Sequence, residues 1–510
     1  MVLALRPAFC DFPFPMIFLG IDSGTQSTKT IALDAETGSI LASAQQAYSL
    51  IDGLDPGHLE QHPADWTAAV DATIGEVLEI LAGRSSEVAG IGVSGQQHGL
   101  VVLDAEDEVV RPAKLWCDTS TVAQCDRYNA EFGGLEGLVE LAGNAMLPGY
   151  TIPKLLWLKE NEAENFARTT SVLLPHDYLN FHLTGVKRME YGDASGTGIL
   201  DVRTRTWSQP LIDFVDPRVS EMLPELGSSR VVHGTLRPEL ASRWGLGEGV
   251  IVSAGGGDNM MGAIGTGNVR PGRVTASFGT SGTLYGVAGN PVCDGKGEVA
   301  AFCDSTDQWL PLVCTMNVTV VTEQIRDLLS QDLEAFNEAV ESVPAGADGL
   351  TFLPYLNGER TPNLPGGSGV LHGMRPDNLS PAHLARAAME GATLGLAYGL
   401  GRFRDLGMSP SEIRLTGGGS QSPVWRQLAA DAFDAEVVTL ATSEGAALGG
   451  AIQAALAAGV SDDYDELCAR YVALDESTRC APREEARDLY REKIESFSKL
   501  TSDLAGSGWL

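Results

Sequence analysis

The chain has 510 residues, which is too many for one ordinary hydrophobic core, so we expect two domains. Hydrophobic residues make up 44% and charged residues 20%, as in soluble globular proteins, and no apolar run is long enough for a membrane-spanning helix. The net charge of −32 argues against nucleic acids and anionic membranes as partners, because both select basic patches. Nucleotides remain open, since they need only a few local donors and a metal.

The eight cysteines have no paired metal spacing, so we expect no zinc site and reduced thiols in a cytoplasmic protein. Residues 1–15 are interpreted as an N-terminal extension outside the fold. Asp11 and three prolines interrupt any signal-type apolar core there, although a targeting peptide is the alternative.

Short β-rich runs alternate with amphipathic helices from residue 16 onwards, which predicts an α/β fold. Residues 17–21 read as a strand, 23–29 as a polar turn and 30–34 as a returning strand. A helix is predicted from Pro63 to residue 81, closed by Gly83. The next buried strand, 88–93, ends in the loop SGQQHG at 94–99.

The opening pattern GIDSGTQSTK at 20–29 is echoed by ASFGTSGT at 276–283. Both read as a strand, a tight Gly/Ser/Thr turn and a second strand, so we predict two related halves. The predicted boundary lies just before or within 250–257. It gives domains 16–252 and 253–498, followed by a tail at 499–510.

Backbone N–H groups and hydroxyls in concave turns bind phosphates, so two such hairpins across a cleft would hold a polyphosphate. Either turn alone could be an ordinary β-hairpin. No Walker A sequence is present and the first strand–turn lacks a GxGxxG fingerprint, so we expect ATP to be bound by another architecture.

Asp258 follows the run VIVSAGGG, which reads as a strand leading into a glycine loop before a helix from Asn259. Open α/β sheets place ligands at the carboxyl ends of their strands. A carboxylate there can take the proton of a hydroxyl that attacks phosphorus, and the alternative role is a helix N-cap. The two roles can coexist, and the rest of the pattern leads us to predict catalysis.

Other candidates are weaker when taken singly. Asp22 beside the first turn suits Mg²⁺, or simply a capped turn. The glycine shelf TGGGSQ at 416–421 could accept a purine or an α-phosphate, or be a tight βα turn. His98 in QQHG could bind a hydroxyl or be structural. Nothing local assigns a role to Lys154 or Asp177.

Eight motifs together resemble the FGGY family of carbohydrate kinases in both identity and order, from about residue 16 to about residue 495. They are GIDSGTQSTK, EQHPADW, GVSGQQHG, LLPHDYLNFHLTG, GGGDNMMGAIGTG, SFGTSGT, YLNGERTP and LTGGGSQSPVW. The resemblance implies two related actin-like (ribonuclease H-like) ATPase domains with a catalytic cleft between them.

The resemblance also implies roles for individual residues, with ATP and Mg²⁺ as cofactors. Asp258 would be the catalytic base, and Asp22 and Asp258 would belong to the Mg²⁺ environment. The sugar would contact Gln97, His98, Asp258 and Asn259, and ATP would contact Thr25, Gln26, Lys29, Gly279, Thr280, Gly417, Gly418 and Gln421.

The QQHG tetrad and the run PGYTIPKLLWLKENE at 148–162 are most similar to the xylulokinase branch of the family. This implies phosphorylation of D-xylulose to D-xylulose 5-phosphate in pentose catabolism. One departure is Ser120, where many bacterial members have arginine in W-x-D-x-R. Alternatives are a sister kinase for another ketose, a polyol, gluconate or glycerol, and a non-catalytic actin-like ATPase. A homodimer is compatible with the sequence.

Overall fold

The structure, a computed structural model, describes residues 15–510, so the predicted extension lies almost wholly outside the described residues. Its strands are β1 (Ile17–Ser23), β2 (Ser27–Asp34), β3 (Ile40–Ala47), β4 (Glu60–Gln61), β5 (Val88–Gly95), β6 (Val101–Leu103), β7 (Ala113–Lys114), β8 (Ser171–Leu173), β9 (Arg188–Glu190), β10 (Leu200–Asp201), β11 (Thr206–Trp207), β12 (Glu225–Gly227), β13 (Val232–Thr235), β14 (Ile251–Ser253), β15 (Gly256–Gly257), β16 (Arg273–Phe278), β17 (Gly282–Tyr285), β18 (Leu312–Thr315), β19 (Thr351–Pro354), β20 (Gly369–His372), β21 (Glu412–Thr416), β22 (Glu436–Leu440) and β23 (Leu474–Cys480).

The helices are α1 (Pro63–Ile80), α2 (Val122–Glu131), α3 (Gly134–Ala142), α4 (Thr151–Asn161), α5 (Ala163–Arg168), α6 (Pro175–Thr184), α7 (Tyr191–Ala194), α8 (Gln209–Val215), α9 (Val219–Met222), α10 (Pro238–Trp244), α11 (Asp258–Gly265), α12 (Thr319–Leu328), α13 (Leu333–Glu341), α14 (Pro381–Asp405), α15 (Pro423–Phe433), α16 (Gly445–Ala457), α17 (Tyr464–Tyr471) and α18 (Glu484–Gly506). Across residues 15–510, none of these helices combines the length and apolarity needed to cross a bilayer.

Two mixed sheets of matching topology form the centres of the two halves. The first has the order β13-β14-β5-β1-β2-β3, with β15 also paired to β5, and the second has the order β18-β17-β16-β21-β22-β23. In each, an antiparallel meander of three strands is followed by two parallel strands added beside the first. The shared order confirms the duplicated α/β halves predicted from the sequence echo.

The predicted elements around the first hairpin are confirmed with one correction. The strand β1 runs to Ser23 and β2 begins at Ser27, so the turn is shorter than the predicted 23–29. Thr28 and Lys29 already pair in the ladder, where Lys29 lies opposite Asp22. The polar side chains at 27–29 therefore do not mark a turn, because their backbone is already paired in the ladder.

The two halves are joined by α16, which follows the second sheet in sequence but packs on the first. Its backbone lies so close to the strands that a Cβ at Gly20 would be 1.9 Å from the Ala447 carbonyl oxygen. A Cβ at Gly92 would be 2.0 Å from the Gly450 carbonyl oxygen. Glycine is therefore required at both positions for strand and helix to touch.

A buried amide strengthens the same junction. Gln453 Oε1 on α16 accepts hydrogen bonds from Ser253 Oγ and the Gly255 amide, each 2.7 Å long. Its Nε2 donates to the carbonyl oxygens of Ser229 and Gly255. The glycine run that precedes Asp258 is thus fixed to the helix of the other half.

The domain boundary at 252/253 stays a prediction. The strands β14 and β15 both pair with β5 in the first sheet, and the second sheet begins with β16. The helix α11 lies between the two sheets in sequence, and it packs against α16.

Candidate active site

Asp258 lies where three parallel strands end. The strand β5 pairs in parallel with β1 on one side and with β15 on the other, so their carboxyl ends share one edge. Asp258 is the first residue of α11, whose N-cap is Gly257. Asp258 Oδ1 accepts a hydrogen bond from Asn259 Nδ2 at 2.9 Å. The helix-cap alternative for Asp258 is therefore not what the structure has.

A cleft of about 870 Å³ opens beside Asp258 and Asn259. Its far wall is the glycine shelf after β21, where Gly417, Gly418 and Gln421 line it. Gly417 has φ +81°, and a Cβ there would be 2.7 Å from the Phe278 carbonyl, so only glycine fits this turn. The volume is within the range of nucleotide and cofactor pockets.

The carboxyl group of Asp258 holds its proton unusually well. Burial, followed by the negative charges of Asp22 and Asp193, raises its pKa to about 7. A carboxylate with a pKa near the working pH is suited to accept a proton from a substrate hydroxyl. Asp22 and Asp193, which add to the effect of burial, come from distant parts of the chain.

Gln97 and Asn259 form one hydrogen-bonded unit with Asp258. Asn259 Nδ2 donates to Gln97 Oε1 at 2.7 Å as well as to Asp258. Gln97 is buried, and a Cβ on Gly257 would lie 2.7 Å from its side chain. The QQHG loop after β5 is therefore brought against the start of α11.

His98 lies further along this loop with a left-handed backbone, φ +63°. Its ring packs against Tyr150 at 5.0 Å and Phe302 at 5.7 Å between centroids. Burial and the nearby charge of Lys154 lower the pKa of His98 well below its ordinary value, so its imidazole is neutral.

Lys154, to which the sequence assigned no role, fixes this loop. Its Nζ donates to the carbonyl oxygen of His98 at 2.8 Å and to that of Gly149 at 2.6 Å. Burial lowers the pKa of Lys154 to about 7. Its partners are two backbone carbonyls, one five positions and one 56 positions before it, so no side-chain motif identifies the residue.

Asp22 on β1 accepts a hydrogen bond from Ser94 Oγ at 3.0 Å. Burial raises its pKa, while Ser94 and the charge of Lys29 oppose the rise. Lys29 Nζ is 2.6 Å from Glu444, which precedes α16. The ion pair links the first hairpin to the other half of the molecule.

The two predicted phosphate turns lie outside the lining of this cleft. Thr25 Oγ1 donates to Gln96 at 3.1 Å and accepts from Trp116 Nε1 at 2.9 Å, and Gln26 is exposed. In the second hairpin, Ser277 and Thr283 line the cleft. In the turn itself, the carbonyl oxygens of Gly279 and Thr280 accept hydrogen bonds from backbone amides at the start of α12 and from the amide of the residue before that helix.

Oxygen ligands for a divalent cation are available at Asp22 and Asp258. The negative charge of Asp22 contributes to the raised pKa of Asp258, and a hard cation held by these carboxylates would relieve that repulsion. The donor chemistry therefore fits Mg²⁺.

The trio His58, Glu60 and Asp118 also gathers potential metal ligands within the described chain. Lys114 Nζ lies among them, 2.9 Å from Asp118 and 3.2 Å from Glu60. An ammonium group already supplies the positive charge, so this cluster is an ion-pair network. Ser120 Oγ donates to Asp118 at 2.5 Å, and this serine is not among the residues that line the cleft.

A buried charge cluster beneath the glycine run was also not identified from the sequence. His176 Nδ1 is 2.7 Å from Asp193 Oδ2, and Nε2 is 3.0 Å from Asp177. Burial opposes protonation, but the two carboxylates raise the pKa of His176 well above its ordinary value. Asp193 comes from α7 and His176 from α6, so no local motif joins them.

Comparison with known proteins identifies the family of both halves of the chain. The N-terminal domain of the FGGY family of carbohydrate kinases matches residues 17–265, and its C-terminal domain matches 274–458. The chain is 42% identical to a xylulose kinase from Haemophilus influenzae over 498 residues, covering 96% of this chain and 100% of that protein.

Two solved structures from Lactobacillus acidophilus, a ligand-bound xylulose kinase and a gluconate kinase, are similar to this chain to the same degree. Each has a TM-score of 0.90 at 26% identity, and 99% of each is covered. They cover 96% and 97% of this chain, respectively. These matches span both halves and the cleft between them. The chain belongs to the FGGY family of carbohydrate kinases.

Proposed function

We propose that this protein transfers the γ-phosphate of ATP to O5 of D-xylulose, giving D-xylulose 5-phosphate and ADP. One observation supports the proposal most. Asp258, with a pKa raised to about 7, faces a cleft of nucleotide size and is hydrogen-bonded through Asn259 to the QQHG loop. A proton acceptor therefore adjoins both a polar acceptor pocket and a phosphate donor pocket.

In the proposed reaction, Asp258 takes the proton of the O5 hydroxyl while that oxygen bonds to the γ-phosphorus. The bond from phosphorus to the bridging oxygen breaks, and ADP leaves with that electron pair. Gln97, His98 and Asn259 bind the sugar hydroxyls and hold O5 in line. The hydrogen bonds from Asn259 to Gln97 and to Asp258 support this assignment, since they hold the carboxylate of Asp258 in one orientation.

The nucleotide would lie along the glycine shelf, with adenosine near Gly417, Gly418 and Gln421. Its phosphates would reach the two hairpin turns, whose candidate ligands are Thr25, Gln26, Lys29, Gly279 and Thr280. Bound Mg²⁺, held by Asp22 and Asp258, would neutralise charge on the phosphates during transfer.

The choice of D-xylulose is supported by the xylulose kinase from Haemophilus influenzae, because this chain matches that protein over its whole length. The gluconate kinase of equal structural similarity makes gluconate the second candidate. A non-catalytic ATPase would need neither Asp258 nor its link to Gln97, so the hydrogen-bonded site favours an enzyme.

An ADP-coupled assay with D-xylulose, D-ribulose, gluconate, xylitol and glycerol tests the assignment. We expect kcat/KM for D-xylulose to exceed that for every other acceptor by at least about tenfold. A preference for gluconate or glycerol would refute the substrate and keep the kinase. ATP hydrolysis that no acceptor stimulates would refute the enzyme class.

We also propose a cytoplasmic location, two domains divided at 252/253 and a homodimer. Every cysteine from Cys117 onwards is a free thiol, which supports a reducing compartment. In this division the first domain supplies the sugar loop and first phosphate turn, and the second supplies Asp258 and the adenosine site. Sedimentation velocity at micromolar protein would show a single dimer-sized species if the homodimer is correct.

A further inference from the structure

Gly196 lies against the QQHG loop, in the 3₁₀ turn Ser195–Thr197 that follows α7. It is buried, and none of the motifs identified in the sequence includes it. A Cβ at Gly196 would lie 2.0 Å from Nδ1 of His98 and 2.3 Å from its Cε1, and the third nearest atom, Cγ at 3.4 Å, belongs to the same ring. The imidazole of His98 therefore occupies the space that a side chain at position 196 would take.

The backbone at Gly196 does not itself require glycine. Its φ is not positive, whereas Gly198, two positions later, has φ +83°. An alanine could therefore adopt the main-chain conformation of Gly196 without strain. The nearest obstacle to a side chain is the ring of His98. At Gly20 and Gly92, by contrast, a Cβ would meet the backbone of α16.

The turn that carries Gly196 is held in place by Ser195. Its Oγ donates to the Tyr191 carbonyl oxygen at 2.7 Å and accepts a hydrogen bond from the Cys303 amide at 2.8 Å. The second of these bonds ties the turn to the C-terminal half of the chain. A shift of the turn away from His98 would disturb both hydrogen bonds, so the turn does not readily make room for a side chain.

His98 is held from other directions as well. Its carbonyl oxygen accepts hydrogen bonds from Lys154 Nζ at 2.8 Å and from Thr151 Oγ1 at 3.1 Å, so its backbone is fixed. Its ring contacts the rings of Tyr150 and Phe302. Overpacking is relieved through side-chain rotation where the backbone is held. A methyl group at position 196 would therefore force the imidazole out of its present orientation.

The two ring nitrogens of His98 have different surroundings. Nδ1, which faces Gly196, is buried and has no well-formed hydrogen bond to any residue of 15–510. Nε2 also has no partner within that range, but it is not a buried atom, so it is the nitrogen that a ligand can reach. A neutral imidazole can donate to or accept from a hydroxyl there. The neighbouring Gln97 is hydrogen-bonded to Asn259, which lines the cleft.

We propose that Gly196 is a positioning residue that determines acceptor specificity, because its missing side chain leaves the space in which the His98 imidazole is held with Nε2 available to a sugar hydroxyl. This rests on the proposed function, in which His98 contacts the sugar. Gly196 acts only through His98 and touches no substrate itself. Any larger residue at position 196 would displace the ring and remove one hydrogen bond to the acceptor.

The test is a double-mutant cycle with Gly196→Ala, His98→Ala and the double variant. Gly196→Ala should raise KM for D-xylulose about tenfold, the usual effect of losing a hydrogen bond, with KM for ATP within about twofold. Its preference for D-xylulose over the other acceptors should fall as well. His98→Ala makes room for the new methyl group, so the double variant should match His98→Ala in KM within about twofold. Gly75→Ala is the control, since a Cβ there meets no atom within 4 Å and we expect no change in KM.

Calorimetric titration with D-xylulose in the absence of ATP gives a second readout that needs no turnover. We expect Kd to rise in Gly196→Ala by the same factor as KM. An unchanged Kd in Gly196→Ala, no loss of affinity in His98→Ala, or additive losses in the double variant would overturn the role of Gly196. An equal effect of Gly75→Ala would do the same.

If Gly196→Ala alone does not fold, the double variant decides. A folded double variant with the KM of His98→Ala supports the proposal, whereas a double variant that also fails to fold overturns it, because the methyl group then meets something other than His98. Wild-type protein that binds D-xylulose but does not phosphorylate it would refute the proposed function alone, and wild type that does not bind D-xylulose would refute both.

Discussion

Replacing Asp258 with asparagine should stabilise the protein while removing its activity. The change keeps the size of the side chain and a hydrogen-bond acceptor for Asn259, but it removes the ionisable group. In the folded protein the pKa of Asp258 rises from 3.8 to about 7, mainly through burial and then through Asp22 and Asp193. The folded state therefore binds the proton more tightly than the unfolded chain does.

The sign and size of the effect follow from this difference. Between about pH 4 and pH 7 the folded state holds more protons, so the contribution of Asp258 to stability falls as pH rises through that window. Three pKa units at about 1.36 kcal/mol each give an upper limit of about 4 kcal/mol. Because the side chain is partly open to water, we expect about 1–3 kcal/mol at pH 8.

Urea unfolding followed by tryptophan fluorescence measures the effect. Asp258→Asn should be more stable than wild type at pH 8, and the gain should shrink to about half at pH 5.5. Turnover should fall at least roughly a hundredfold. The matched control is Asp488→Asn, because Asp488 is exposed on α18. A variant no more stable than wild type at pH 8, or a gain that does not change with pH, would refute the reasoning.

Three further predictions concern the same cleft. In a pH profile, kcat/KM for the sugar should fall towards acid pH with unit slope and a midpoint at or below pH 7, because bound Mg²⁺ favours ionised Asp258. A flat profile from pH 5 to 9 would count against a carboxylate base. Asp22→Ala should raise the Mg²⁺ concentration for half-maximal activity at least about tenfold, whereas an unchanged Mg²⁺ titration would remove Asp22 from the metal site. Gly417→Ala should raise KM for ATP more than fivefold (roughly 1 kcal/mol or more) and leave KM for the sugar unchanged, because the new Cβ would lie 2.7 Å from the Phe278 carbonyl. Equal effects on both KM values would place Gly417 outside the nucleotide site.

Local patterns were enough to predict the hairpins, the helix after Pro63 and the duplication. The echo between 20–29 and 276–283 is reflected in two sheets of the same strand order. Asp258 and the glycine shelf were also identifiable, because a polar residue after a buried strand marks the edge where ligands bind. Both line the same cleft.

Contacts between distant segments could not be predicted in this way. The packing of α16 on the first sheet depends on Gly20 and Gly92. A glycine in the sequence does not reveal which distant element packs against it. Lys154 reaches the His98 carbonyl oxygen across 56 positions, and the pKa of Asp258 depends on Asp22 and Asp193. Such interactions are set by the tertiary fold, so their residues look like ordinary core or surface positions.

The central claim is tested most directly by identifying the product formed from D-xylulose and MgATP. Phosphorus and carbon NMR of the quenched reaction should show one ADP for each phosphate ester, with the phosphate on O5, and no product with Asp258→Asn. Phosphate on another oxygen, inorganic phosphate in place of an ester, or comparable product from folded Asp258→Asn would contradict the account.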